Sequence, residues 1–221
     1  MNKLRPELIL AAYRAGAFPM ADARDSADQE FYQPIDRGVF DLRQAGAVRV
    51  PRRFQRWLRQ CPYTLKVDQD FDRVIAACAA VPRARQGGTW INGEIERVFC
   101  QLHQQGHAHC FSAYDAQGRL VGGLYGLHQG SVFFGESMFT LAPNASKACL
   151  VGLFAALSQA GFDMIDAQMP NPHLDQFGLQ VWQNERFLTA LPQWLRRPCD
   201  FPKTISAGLI HQFLQSTTQT S

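Results

Sequence analysis

Long apolar runs are missing from this chain of 221 residues. No stretch approaches the roughly 18 consecutive apolar residues that cross a bilayer, which excludes membrane-spanning functions. The amino-terminal residues carry a lysine, an arginine and a proline before Glu7, without the apolar stretch and cleavage site of a secretory signal, so a cytoplasmic location is expected. Paired cysteines are missing too. Cys61, Cys78, Cys100, Cys110, Cys149 and Cys199 are widely spaced with no Cys-x-x-Cys, which argues against a structural zinc site or a redox dithiol and for small buried side chains in a reducing compartment. No internal repeat is present. Nor is there a strong charge of one sign: a net +3 does not by itself demand a nucleic-acid partner, so the distribution of positive charge decides.

What is present fits a globular chain, with 46% hydrophobic and 19% charged residues. The length suits one domain, or a main domain carrying a small extra lobe. A first helix begins at Pro6, with Leu8, Ile9 and Ala12 on one face and Gly16 as its stop. Residues 19–38 mix Pro, Asp and Gly with Phe31 and Tyr32, which predicts an irregular segment whose two rings need a pocket. From Pro51 a second helix puts Phe54, Trp57 and Leu58 on one side and Arg52, Arg56 and Arg59 on the other. With Arg49 and Arg53 this is a basic face without an acidic partner in the stretch. It reads either as a solvated surface or as a phosphate-binding one, and the missing acids tilt the reading to phosphate.

A strand over 63–67 precedes a helix through Phe71, Val74, Ile75 and Cys78 that Asp68 or Asp70 can cap. Residues 83–88 form a basic loop. Asn92 is placed to cap the next helix, which buries Ile95, Val98, Phe99 and Leu102 and ends at Gly106. Three strands follow over 107–114, 119–128 and 131–139, joined by turns too short for anything but antiparallel pairing. Asn144 then caps a helix with Leu150, Leu153, Phe154 and Leu157 on one side, Gly161 ends it, and 162–168 returns as a strand. A short helix over 185–191 and a polar, disordered tail over 215–221 complete the chain. This order predicts an α+β fold with one core sheet.

Glu136 interrupts an apolar strand, where a carboxylate needs either a polar cleft or a buried partner; the cleft is preferred. Alternation would put Asp166 and Gln168 on one strand face, so that Asp166 orients the carboxamide and its oxygen accepts a hydrogen bond from an attacking amine. Spacing alone equally allows both side chains simply to satisfy backbone groups. His103, His107, His109 and Cys110 lack a supporting ligand pattern, so no metal is assigned. Gly122-Gly123-Leu124-Tyr125-Gly126 lies within a strand and opens no helix. It marks close approach of a ligand or another backbone rather than a phosphate loop.

Seven segments occur in an order and at a spacing that carry a resemblance. They are Ala11-Ala12-Tyr13-Arg14-Ala15-Gly16-Ala17-Phe18-Pro19, Gly88-Thr89-Trp90-Ile91, Gly106-His107-Ala108-His109, Leu120-Val121-Gly122-Gly123-Leu124-Tyr125-Gly126, Phe134-Gly135-Glu136-Ser137-Met138-Phe139, Asn144-Ala145-Ser146-Lys147 and Ile165-Asp166-Ala167-Gln168. Together they make the chain resemble the leucyl/phenylalanyl-tRNA–protein transferases from about residue 8 to about residue 190. The resemblance implies an acetyltransferase-like (GNAT) α+β fold, a mixed and largely antiparallel sheet flanked by helices. Its implied divisions are a small amino-terminal lobe (1–60), a catalytic domain (61–200) and a tail (201–221). It implies transfer of Leu or Phe, and less readily Met, from aminoacyl-tRNA to proteins beginning with Arg or Lys, by a cytoplasmic monomer without cofactor or metal.

Asp166 and Gln168 are then the catalytic pair, with Glu136 a carboxylate near the aminoacyl end. Trp90, Phe133, Ser137, Met138 and Phe154 border the substrate, and Arg49, Arg52, Arg53, Arg56 and Arg59 take the tRNA backbone. The chain differs from longer members in lacking the segment with a Gly-Gly-Asp motif, so a truncated lobe is expected. Met20 and Phe31-Tyr32 stand where the family commonly has tryptophans. Two rival readings are an acyl-CoA-dependent N-acetyltransferase of the same superfold and a non-enzymatic RNA-binding module. The first lacks its pyrophosphate loop ahead of the helix at 146–160; the second leaves Glu136, Asp166 and Gln168 idle.

Overall fold

The computed structural model describes residues 4–26, 29–44, 46–81 and 89–218. Its elements in chain order are α1 (Pro6–Arg14), β1 (Phe18–Met20), β2 (Glu30–Tyr32), β3 (Asp36–Asp41), α2 (Arg52–Leu58), β4 (Thr64–Val67), α3 (Phe71–Ala80), α4 (Gly93–Gln104), β5 (Ala108–Tyr114), β6 (Leu120–Gln129), β7 (Val132–Thr140), α5 (Ala145–Ala160), β8 (Met164–Asp166), α6 (Pro172–Asp175), β9 (Gln180–Gln183), α7 (Asn184–Leu195) and α8 (Ala207–Thr218). Seven strands form one sheet in the order β4-β5-β6-β7-β8-β3-β9, and β1 pairs with β2 in a separate two-stranded ribbon. All pairings are antiparallel except β7 with β8. The result is a mixed α/β fold with a central, mostly antiparallel sheet flanked by helices.

Two apolar layers sandwich that sheet. On one side α1, α3, α4 and α7 contribute Ile9, Tyr13, Val74, Ile95, Phe99, Phe187 and Trp194 to a buried cluster. On the other, α2, α6 and α8 surround α5, whose residues are buried along most of its length. Helix α5 therefore has no polar face to speak of, as expected for a helix covered on all sides. It lies close against β6: a Cβ on Gly122 would sit 2.5 Å from Ala145 Cβ, so the close approach marked by the glycine-rich strand is that of the α5 amino terminus.

Local signals account for the most regular elements. Asn92 Oδ1 accepts the Ile95 N–H at 2.9 Å, Glu94 and Glu96 occupy the first turn, and the buried stripe of α4 is Ile95, Val98, Phe99 and Leu102. The other expected caps differ. Asp70 and Asn144 stand at the N-cap positions of α3 and α5 in left-handed conformations and make no side-chain cap. The Asp70 carboxylate instead accepts hydrogen bonds from Arg73 and Tyr114.

Four further expectations are corrected. The segment over 19–38, read as irregular, contains β2 and the start of β3, and the rings of Phe31 and Tyr32 are exposed rather than pocketed. Residues up to 41 supply β3 to the large sheet between β8 and β9, so a boundary at residue 60 does not divide it. Residues 215–218, expected as disordered tail, continue α8, which is anchored by buried Ile210 and Leu214. The last helix of the catalytic region extends over Asn184–Leu195, beyond the expected 185–191. The basic loop at 83–88 and the tail end at 219–221 lie outside the described residues.

Candidate active site

The sheet splits where β7 and β8 part. Their parallel pairing covers Val132↔Met164, Phe133↔Ile165 and Phe134↔Asp166 and then stops. Beyond Asp166 the chain follows β3 instead: the Ala167 N–H donates to Gly38 O and the Gly38 N–H to Gln168 O. Gln168 takes a left-handed conformation, φ 59°. On β7, Tyr125 pairs with Ser137 and Gly126 with Gly135, which leaves Glu136 unopposed in a β-bulge. Gly126 makes this possible, because a Cβ there would lie 2.2 Å from Phe134 O. Bulges re-aim a side chain out of the strand's alternation. Here the bulge turns Glu136 towards α1 and Gln168.

Glu136 Oε1 accepts two hydrogen bonds, from Tyr13 OH at 2.6 Å and from Gln168 Nε2 at 2.7 Å. Oε2 is buried and has no hydrogen-bond partner among the described residues. Burial pushes the Glu136 carboxyl up to about 8, against the donors Tyr13 and Gln168, which favour the charged form. Tyr13 is driven well above the ordinary phenol value, first by burial and then by Glu136. The expected polar cleft is thus a buried, partnered carboxyl with one oxygen left over.

Asp166 is held from the other side. Arg37 Nε donates to Asp166 Oδ1 at 3.0 Å and Nη2 to Oδ2 at 2.8 Å, both side chains being fully buried. Arg37 Nη1 also donates to Gly16 O at 2.7 Å and to Asn184 Oδ1 at 3.0 Å, which ties the end of α1 and the start of α7 to β8. The guanidinium carbon sits 4.2 Å from the centre of the Phe187 ring. Asp166 Oδ1 accepts the Gln168 backbone N–H at 2.9 Å, not its carboxamide. Asp166 therefore fixes the turn that carries Gln168, while the Gln168 amide group points to Glu136. The expected face-sharing of the two side chains does not hold, because β8 ends at Asp166. Glu136 and Gln168 keep 8% and 7% exposure while Tyr13, Arg37 and Asp166 keep none, so only the first two border solvent.

The remaining expected residues fall in three places. Phe133 and Phe154 are fully buried in the layer around α5, with half-buried Met138 packed against it. Trp90 packs against the opposite layer, and Ser137 is half-buried on β7. Arg49, Arg52, Arg53, Arg56 and Arg59 are all exposed on and around α2 and form no ion pair with any described residue, unlike Arg37, Arg43, Arg97 and Arg197. Of the histidines, His109 bridges Asp68 Oδ2 at 2.8 Å and His128 Nδ1 at 2.9 Å, and His103 Nδ1 lies 2.8 Å from Ala108 O. Among the described residues no group of three or more His, Cys, Asp or Glu side chains is arranged to hold a metal. Tyr13 and Arg37 were not singled out from the sequence. Arg37 carried the same signal as Glu136, a charge at the edge of the apolar run Val39-Phe40.

Fold and site together define a mixed α/β protein with a carboxyl–carboxamide pair at a sheet split. The profile described as leucyl/phenylalanyl-tRNA protein transferase matches residues 42–192, and that of its N-terminal domain matches residues 2–32. The chain belongs to the leucyl/phenylalanyl-tRNA protein transferase family. A leucyl/phenylalanyl-tRNA–protein transferase of Hyphomonas neptunium is 43% identical over 89% of this chain and 74% of its own. One of Rubrobacter xylanophilus is 42% identical over 88% of this chain and 96% of its own. Among solved structures, FemX matches 80% of this chain and 66% of its own with a TM-score of 0.55 at 10% identity, a likeness of fold alone.

Proposed function

We propose that this aminoacyltransferase moves Leu or Phe, and less readily Met, from aminoacyl-tRNA to the amino terminus of proteins beginning with Arg or Lys, which marks them for degradation. The observation that carries the reading is the pair of groups at the split, Glu136 with a buried, spare Oε2 and Gln168 with its Nε2 committed to Glu136. The carboxamide oxygen of Gln168 is then the acceptor left for an incoming amine. The ester of an aminoacyl-tRNA is already activated, so catalysis consists mainly of alignment and the handling of one proton. The acceptor's α-amine attacks the ester carbonyl carbon while its N–H is held by Gln168 Oε1. A new C–N bond forms, the C–O bond to the terminal ribose breaks, and the ribose oxygen leaves with the proton. Glu136 Oε2 faces the free α-amino group of the transferred amino acid.

The fold is read as acetyltransferase-like (GNAT), supported by the parallel β7–β8 pair that splays beside its site. Half-buried Ser137 and Met138 of β7 border the transferred side chain, with the fully buried Phe133 and Phe154 in the layer behind them, and Trp90 borders the substrate from the other layer. The reaction is assigned to a cytoplasmic monomer; no described helix is long and apolar enough to cross a membrane.

The test is transfer of radiolabelled Leu, Phe and Met from charged tRNA to a model protein beginning with Arg, with a Gly-initiated version as control. Label on the Arg protein alone is expected. No label from any of the three overturns the reading. The tRNA backbone is assigned to the exposed arginines of α2 and its flanks. Reversing Arg52, Arg56 and Arg59 to Glu should weaken tRNA binding and reduce the slope of log affinity against log salt by about 2, since each phosphate contact contributes roughly 0.7–0.9. An unchanged slope in a filter-binding salt titration would place the tRNA elsewhere.

A further inference from the structure

Glu136 Oε1 is saturated: it takes hydrogen bonds from Tyr13 OH and Gln168 Nε2, the two that its lone pairs can accommodate. A proton on this carboxyl must therefore reside on Oε2, the buried oxygen without a described partner. Of the two donors, Gln168 sits on the turn at the end of β8, whereas Tyr13 arrives from α1, 123 residues away in sequence. The Tyr13 ring is fixed edge-on against Phe134, with centroids 5.0 Å apart, so its hydroxyl is aimed by packing rather than by choice of rotamer.

We propose that Tyr13 is a positioning residue which, by filling Oε1 together with Gln168, confines the exchangeable proton of Glu136 to Oε2 and sets the pH at which that oxygen changes from donor to anion. The inference rests on the aminoacyl-transfer reading, in which Oε2 meets the α-amino group of the bound amino acid. When a neutral amine docks against the neutral acid, the Oε2–H bond breaks and an N–H bond forms, which leaves carboxylate against ammonium with no change in total charge. The charged and titratable groups around the carboxyl are Tyr13 from α1, Arg37 from β3 and Asp166 from β8, with Tyr125 of β6 behind Tyr13. Tyr13 and Arg37 favour the anion; burial and Asp166 oppose it. Removing the Tyr13 hydroxyl must then hold the proton on Glu136 to higher pH.

The experiment is an infrared titration of the full chain carrying carbon-13 glutamate, in the native form and as Tyr13→Phe, with Glu136→Gln assigning the protonated carboxyl band. The phenylalanine keeps the ring and its packing, and thermal unfolding checks that the fold is kept. The band is expected to persist to higher pH in Tyr13→Phe by about one unit, the loss of one charge-assisted hydrogen bond. In transfer assays at pH 7 the same variant should show a roughly tenfold higher KM for charged tRNA, with binding of uncharged tRNA unchanged. A midpoint that does not move, or a native Glu136 ionised throughout, overturns the proposal, as does an unchanged KM. Absence of transfer by the native chain with a shifted midpoint would instead overturn the functional reading and leave the proton's placement standing.

Discussion

Asp166→Ala should lower the thermal midpoint by roughly 10 °C. The substitution leaves the Arg37 guanidinium fully buried and without its carboxylate. Breaking a buried ion pair from one side costs about 3–5 kcal/mol, because the surviving charge keeps its desolvation penalty and loses its partner. At this chain length each kcal/mol moves the midpoint by about 2–4 °C. Transfer should be lost as well, through the turn that carries Gln168, whose backbone N–H Asp166 accepts. Replacing both residues at once, Arg37→Met with Asp166→Leu, separates the two effects. Stability should return in part, since apolar residues replace a desolvated pair while Gly16 O, Asn184 Oδ1 and the Gln168 N–H lose their partners. Transfer should not. Differential scanning calorimetry beside the transfer assay reads both, and an Asp166→Ala protein with native stability would mean that Arg37 reaches solvent or another acceptor.

Gln168→Ala should do the reverse. The residue sits at the end of its strand with 7% exposure, and its side chain makes one hydrogen bond, to Glu136. Alanine can adopt the same left-handed backbone at no more strain than glutamine already bears. The fold should therefore hold to within a few degrees while transfer falls by about 10²–10⁴-fold, the range of a lost acid–base or proton-positioning group. tRNA binding should persist, because the exposed arginines lie on and around α2 and not at the split. Single-turnover transfer with saturating tRNA checks this; a rate within a factor of a few of native would remove Gln168 from the chemistry.

The parts of the fold legible in the sequence are those where period and punctuation agree. Helix α4 has a capping Asn92, a four-residue buried stripe and Gly106 beyond its end, and the β5–β7 meander is set by two short turns. The illegible parts lack one or the other. Strand β9 is four residues long and begins and ends in glutamine, and β3 begins and ends in aspartate with Arg37 inside, so neither shows a clean alternation. Each is defined by pairing with distant chain, Asp36 with Gln183 and Val39 with Asp166, which no local window contains. Helix α8 was hidden by polar residues at its end, although Ile210 and Leu214 keep the i, i+4 spacing of a buried stripe.

The candidate site was legible to a different degree. Glu136 declared itself as a carboxylate in an apolar strand. Asp166 and Gln168 came from the family resemblance, and the geometry inferred for them from alternation failed because Gln168 has left the strand. Tyr13 looked like one more apolar residue of α1; nothing in its helix indicates that its hydroxyl meets β7.

Phe134 and Phe139 both face the layer of α1, α3 and α4, although five positions separate them, an odd number that a regular strand would send to opposite sides. Phe133 and Met138 face the α5 layer with the same odd interval. The unopposed Glu136 is thus a phase shift in the strand. Deleting a single residue at 135 or 136 would restore plain alternation and keep Phe139 and Met138 on their present faces, because an even interval of four would then separate them from Phe134 and Phe133. The group proposed to meet the amine is thus carried by the one residue that the inside and outside of the sheet do not need, so a one-residue deletion there should cost the aim of the carboxyl and spare the packing of the strand.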